Sequence, residues 1–228
     1  MNGTHIKPEL FEFFRELKRN NGKQWFQSNK ERYEQEVRLP LQRFIMEFEQ
    51  PLRRISLHYR ADPRPVGGSL FRIYRDVRFS PDKSPYKTHG GIQFRHGQGK
   101  DVHAPGFYLH LEPDNVFAAA GIWHPDSSAL VRIRSAIASD PGKWTRAKND
   151  PGFSKTYALG GDSLKRAPQG YDPDHPQIVD LKRKDYIASA ALSEQEACAQ
   201  DFLDRYARLC AEASPFMEFL TKALDLPW

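Results

Sequence analysis

Between residues 70 and 123 the chain divides into four short apolar runs separated by turn residues, and in the first three apolar and polar side chains trade places at every second position. That period belongs to a strand with one buried face, not to a helix. Residues 70–79 set Phe71, Ile73, Val77 and Phe79 against Arg72, Tyr74, Asp76 and Arg78, with Arg75 left on the apolar side. Gly91 to His96 turns Ile92 and Phe94 one way. Phe107 to Glu112 alternates Phe107, Leu109 and Leu111 with Tyr108, His110 and Glu112. Val116 to Trp123 is small and apolar throughout, as expected of a strand buried on both faces. Gly97, Gly99, Gly106 and Pro113-Asp114-Asn115 supply the turns, so an antiparallel meander is predicted.

Helical stripes flank this block. Leu10, Phe13, Phe14 and Leu17 follow the i, i+3, i+4, i+7 spacing of an amphipathic helix, which Asn20-Asn21-Gly22 should end. Ser28 with Glu31 reads as a capping box opening a second helix, whose buried face runs through Tyr33, Val37, Leu41, Phe44, Ile45 and Phe48. Pro40 should kink or split it. After a loop at 61–68 and the strands, Asp126 or Ser127 caps a helix carrying Leu130, Ile133 and Ile137. Residues 140–177, rich in Pro and Gly, predict only short elements, near Trp144 and Ser163–Arg166, and a possible lid carrying Arg166 and His175. Two C-terminal helices follow, one opened by a Ser193–Glu196 capping box and one by Ser214-Pro215. Helices at both ends around a central antiparallel sheet predict an α+β fold, formed by residues 1–228 as one domain.

Charge narrows the function. The chain carries 34 Lys and Arg against 29 Asp and Glu, a net of +5. Residues 71–100 alone hold seven basic residues (72, 75, 78, 83, 87, 95 and 100) against Asp76 and Asp82, so the whole excess is local. Local positive charge is what an anion site needs. If the strands pair in order, Arg72, Tyr74, Asp76 and Arg78 lie beside Gln93 and Arg95, and those beside Tyr108, His110 and Glu112. Arg72, Tyr74, Arg78, Lys83, Lys87, His89 and Arg95 are the candidate ligand contacts. Asp76, Tyr108, His110 and Glu112 are the candidate acid–base groups. Arg75, on the apolar side, is expected in a structural ion pair.

Other chemistries find weaker patterns. Cys198 and Cys210 are predicted in one helix about 18 Å apart, beyond disulfide reach and outside any metal spacing. His110 and Glu112 point the same way, with His89, His103 and His124 near strand ends. No specific metal motif is present, so no metal is assigned, and the cofactor is left open. There is no nucleophile elbow, P-loop or dinucleotide fingerprint. No apolar run is long enough to span a membrane, and the N-terminus lacks the apolar region of a signal peptide, so no membrane partner and a cytoplasmic location are expected.

Several motifs together resemble a widespread family of conserved hypothetical proteins, the domain of unknown function numbered twenty-four sixty-one. They are Asn20-Asn-Gly-Lys-Gln-Trp-Phe26 with Asn29-Lys30, Phe71 through His89, Gly106-Phe-Tyr-Leu-His-Leu111, Gly121-Ile-Trp-His-Pro125, and Leu164 to Tyr171 with Asp174-His-Pro176. The resemblance spans nearly the whole chain and implies one α+β domain, with no activity to transfer. The residues themselves lead to a protein that binds, with or without processing, a small anionic and plausibly phosphorylated molecule. The alternatives are a nucleic-acid-associated module, which a pI near 9.1 permits, and a partner-binding protein without catalysis; the oligomeric state is left open.

Overall fold

The computed structural model describes residues 5–99 and 103–228. Lys100, counted above among the basic residues, lies outside them. The chain folds as α+β, with one five-stranded antiparallel sheet and helices before and after it. Helix α1 (Pro8–Arg19) buries Leu10, Phe13, Phe14 and Leu17, the predicted stripe. Short α2 (Lys23–Ser28) and α3 (Lys30–Arg32) follow, then a π-helical turn at Tyr33–Arg38 and helix α4 (Leu39–Ile55). Ser28 is therefore the last residue of α2, not a cap, and no Ser28–Glu31 capping box forms. The expected break at Pro40 appears as the π turn just ahead of it, a wider coil that accommodates a ring with no N–H to donate.

Strands β1 (Gly90–Arg95), β2 (Gly106–Glu112) and β3 (Asn115–Ile122) form the predicted meander. Beyond β3 lie β5 (Tyr186–Leu192) and the three-residue β4 (Ala158–Gly160), giving the order β1-β2-β3-β5-β4. β5 is missing from the sequence reading because its alternation, Tyr186, Ala188, Ala190, is carried mainly by alanine. One sheet face turns Ile92, Phe94, Phe107, Leu109, Leu111, Ala118 and Ala188 into a single apolar cluster with α1, α4, α10 (Phe202–Glu212) and α11 (Ser214–Ala223). β3, expected to be buried on both faces, buries Ala118 and Ala120 but leaves Phe117 and Ala119 partly open on the other.

Residues 70–79 do not form a strand. Leu70 bridges Ile92, and Phe71 N–H donates to the Gly91 carbonyl. The chain then leaves β1 and doubles back on itself, with Tyr74 bridging Tyr86, Arg75 N–H donating to the Pro85 carbonyl and Lys87 N–H to that of Ile73. The alternation is real as exposure, because Arg72, Tyr74, Asp76 and Arg78 are exposed and Ile73 is buried. It reports packing against Phe26, whose ring stacks on Tyr86 at 4.1 Å, and not a place in the sheet. Phe79, assigned to the apolar side, is 93% exposed at the tip.

The C-terminal half is tied together by α5 (Ser127–Ser139), capped by Asp126, by α6 (Pro141–Lys148), and by α7 (Pro151–Thr156) and α8 (Ile178–Leu181). The Ser193–Glu196 capping box opens α9 (Glu194–Ala197). Cys198 follows that helix and Cys210 lies in α10, so the two are not on one helix; both are free. Gly121 sits at φ +132°, where an added Cβ would come within 2.0 Å of the Tyr186 carbonyl.

Asp180, 3% exposed, is the polar centre of this half. It accepts from Trp144 Nε1 at 2.8 Å, Lys148 Nζ at 2.6 Å and Arg183 Nε at 3.0 Å. Burial alone would raise its pKa, but these three donors outweigh burial and hold it below the ordinary carboxylate value. Asp180→Ala should cost about 3 kcal/mol in urea unfolding at pH 7, since it strands two cations and a buried indole N–H. Because the folded carboxyl titrates below its unfolded value, its contribution is present above about pH 4 and fades as pH falls further. The variant's stability should therefore fall less steeply there, and a loss under 1 kcal/mol at pH 7 would mean the network is not structural.

Candidate functional site

The β1–β2 register builds the site. Gly91 pairs with His110 and Gln93 with Tyr108, and the same register carried one residue beyond β1 sets His89 against Glu112. Directly paired residues share a face. His89, Gly91 and Gln93 thus lie with Tyr108, His110 and Glu112 on the face turned away from the helices. Their floor is small: an added Cβ at Gly91 would lie 2.7 Å from the Tyr108 hydroxyl, so only glycine leaves that ring its place.

On this face three side chains form a continuous chain. The Tyr108 hydroxyl and His110 Nδ1 share a hydrogen bond at 2.9 Å, and His110 Nε2 and Glu112 Oε2 another at 3.3 Å. The Glu112 carboxylate also accepts from Thr88 Oγ1 at 3.3 Å and Asn115 Nδ2 at 3.2 Å. The His89 ring lies 4.4 Å from that of His110, and Phe117 stacks on the other side of His110 at 4.6 Å. Burial lowers the pKa of His110 against the pull of Glu112. Burial, then the neighbouring His110, press His89 down to about 4. Burial pushes the Tyr108 hydroxyl up. Burial would also raise Glu112, but its bonds from Asn115 and His110 prevail and keep it low. At neutral pH the array is thus a phenol, two neutral imidazoles and a carboxylate, able to accept and pass protons.

Two clefts meet at this array. One, of about 390 Å³, is walled by Phe71, Tyr108, His110, Phe117, Trp123 and Ile187. The other, of about 400 Å³, is polar and lined by Lys18, Arg75, Asp82, Ser84, Lys87 and His89 among others, three basic side chains against one carboxylate. Lys87 is partly buried, which lowers its pKa, as does Arg72 nearby. Its ammonium donates to the Arg72 carbonyl at 3.0 Å and sits 5.3 Å from the centre of the Phe71 ring.

Of the residues singled out from sequence, Tyr108, His110, Glu112, Lys87 and His89 come together. The rest do not. Phe71, not Arg72, shares the face of Gly91 and Tyr108, so the parity assumed for 70–79 is reversed relative to the sheet. Arg72, Tyr74 and Arg95 border a different cleft, of about 470 Å³, shared with Phe26, Tyr33 and Arg38; Arg95 Nη2 also donates to the Gly67 carbonyl at 2.8 Å. Asp76 and Arg78 pair with each other at 2.6 Å in the exposed tip, remote in partnership from His110. Lys83 is spent on the Val77 carbonyl. Arg75 is in an ion pair, as expected, but with Asp82 of its own loop, and it faces the basic cleft. His124 instead anchors the entry to α5, its backbone N–H donating to Asp185 Oδ1 at 2.8 Å. Residues 140–177 line neither cleft.

Sequence reasoning missed Lys18, Asn21, Phe117 and Trp123. Asn21 had a signal, the Asn-Asn-Gly stop after α1. Its side chain does more than end a helix: Nδ2 donates to the Tyr86 carbonyl at 2.9 Å and Oδ1 accepts from the Tyr86 N–H at 3.1 Å. One amide thus clamps the loop that carries Lys87 and His89 to the end of α1.

An α+β fold with a hydrogen-bonded Tyr–His–Glu array on its open sheet face, beside a basic cleft, is the class that fold and site define. A family model described as conserved hypothetical protein (DUF2461) matches residues 9–219, and the chain belongs to that family. No curated protein and no solved structure matches it significantly. Among the described residues, no helix is long and apolar enough to cross a membrane.

Asn21→Ala removes both bonds to Tyr86 and should cost about 1–2 kcal/mol. Hydrogen exchange at the Tyr86 and Lys87 amides should speed up more than exchange in β2. Uniform acceleration, or none, would show that the clamp does not hold the loop.

Proposed function

We propose that the protein binds a small anionic molecule, phosphorylated ones included, in the cleft of Lys18, Arg75 and Lys87, and that Tyr108, His110 and Glu112 supply acid–base capacity beside it. The observation that carries this reading is the meeting of the two features at His89, which lines the cationic cleft and packs on His110. Cations held by a fixed loop are an anion site in waiting, since little reorganisation is needed when charge arrives. A binding protein needs only those cations. The hydrogen-bonded phenol, imidazole and carboxylate add what an enzyme would need to move a proton on the bound molecule. A phosphorylated ligand and two unpaired cysteines both suit a cytoplasmic protein.

The test is calorimetric titration with inorganic phosphate, sugar phosphates, dicarboxylates and a short oligonucleotide. One small anion is expected to bind, and Lys87→Ala and Arg75→Ala should each weaken it about tenfold or more. Arg78→Ala, which alters only the self-paired tip, should leave affinity within about twofold. Failure of every small anion to bind, or equal binding by Lys87→Ala, would overturn the reading. Binding of the oligonucleotide alone, weakening steeply with salt, would put a nucleic-acid module in its place.

A further inference from the structure

Spacing along the chain assigns no metal here, because the three residues concerned are split between the loop before β1 and the end of β2. Folding removes that separation. We propose that His89, His110 and Glu112 form a binding site for a divalent first-row transition-metal ion. One ligand atom from each lies within 4.8 Å of the others. Two imidazole nitrogens and a carboxylate oxygen are the donor set of many zinc and ferrous sites, which leave further positions for water or substrate. With metal–ligand bonds of about 2.1 Å, donors around one tetrahedral ion stand about 3.4 Å apart. A turn of the Glu112 or His89 side chain that moves its donor atom by about 1.5 Å therefore closes the set.

Three further observations support the assignment. Neither ring nitrogen of His89 has a hydrogen-bond partner among the described residues, although the ring is partly buried against His110. His5, His96, His124 and His175 each commit a nitrogen to a protein partner, whereas the His58 ring, like that of His89, does not. Among the described residues, the Glu112 carboxylate is held only by contacts of 3.2–3.3 Å. Those are long for bonds to a charged oxygen, which usually close to about 2.7–2.9 Å. Finally, the Tyr108 hydroxyl occupies His110 Nδ1 at 2.9 Å, which leaves Nε2, the nitrogen on the Glu112 side, as the one to bind an ion. An outer partner that fixes the second ring nitrogen is a regular part of histidine metal sites.

The site goes beyond the anion reading and does not rest on it, since neither Lys87 nor Arg75 is a ligand. With an ion in place, His110 becomes a ligand, and the acid–base role passes to water bound on the ion. An oxygen of an anion in the neighbouring cleft could take that water's position.

The full chain, freed of metal with a chelator, is titrated with Zn²⁺ by calorimetry and with Co²⁺ by visible absorption. One ion per chain is expected at micromolar or lower free metal, with Co²⁺ bands of low-coordinate geometry. His89→Ala and Glu112→Gln should each weaken Zn²⁺ binding by about tenfold or more, while His103→Ala leaves it unchanged. Glu112→Gln keeps the side chain's shape, and circular dichroism without metal checks that both ligand variants fold. In the wild-type chain Zn²⁺ should also move the His89 and His110 ring resonances and spare those of His58 and His175. Substoichiometric binding, binding indifferent to Glu112→Gln, or shifts confined to other histidines would overturn the site. Loss of Zn²⁺ binding with anion binding intact would reject the metal and leave the anion reading standing, and the reverse result would do the opposite.

Discussion

The pairing of Gly90–Arg95 with Gly106–Glu112 decides which side chains meet solvent and which meet the helices. Ile92, Phe94, Leu109 and Leu111, all fully buried, hold that pairing from below. A slip of one residue would turn every side chain on β1 over. It would drive Gln93 and Arg95 into the apolar layer and expose Ile92 and Phe94, losing on the order of 1.5–3 kcal/mol for each large side chain brought into water. The chemistry on the upper face is therefore fixed by residues that take no part in it. His110 is oriented because Leu109 and Leu111, on either side of it, have nowhere else to go.

The loop at 72–88 is positioned differently. It has few ladder bonds, and its place comes from the Phe26–Tyr86 stack and the Asn21 amide. Its tip closes its own polar groups, with Asp76 on Arg78, Asp82 on Ser84 and Arg75, and Lys83 on a carbonyl. Its returning arm carries Lys87 and Thr88 up to His89 at the sheet's polar face, where Arg75 lines the same cleft. Cationic residues close in sequence are thus divided into one group that faces a cleft and another that neutralises itself in solvent.

That division explains what could be read from residues alone. Strands β1 to β3 and the long helices were legible because large apolar side chains mark their periods, and Tyr108, His110 and Glu112 followed from parity along one strand. The failure at 70–79 shows the limit of parity. Alternating exposure at Arg72, Tyr74, Asp76 and Arg78 arises wherever an extended chain lies on a surface, whether or not a neighbour offers hydrogen bonds. β5 failed for the opposite reason: it pairs along its whole length with β3, and with β4 on its other side, but alanine leaves little contrast between its faces. The approach of His89 to Glu112 depends on where β1 begins, and a boundary is the least legible part of any element.

The two margins of the sheet have a consequence of another kind. Beside β1 run Tyr59, bridging His96, and Leu70, bridging Ile92, and at the far side the last strand is only Ala158–Gly160. Unpaired strand margins are where one chain can template onto another. Here one margin is already occupied by the chain's own loops, and the other offers the three residues of β4 and the end of β5 that β4 does not cover. Among the described residues, neither margin therefore offers a long unpaired strand for a second copy to extend, which leaves growth of the sheet limited by its own edges.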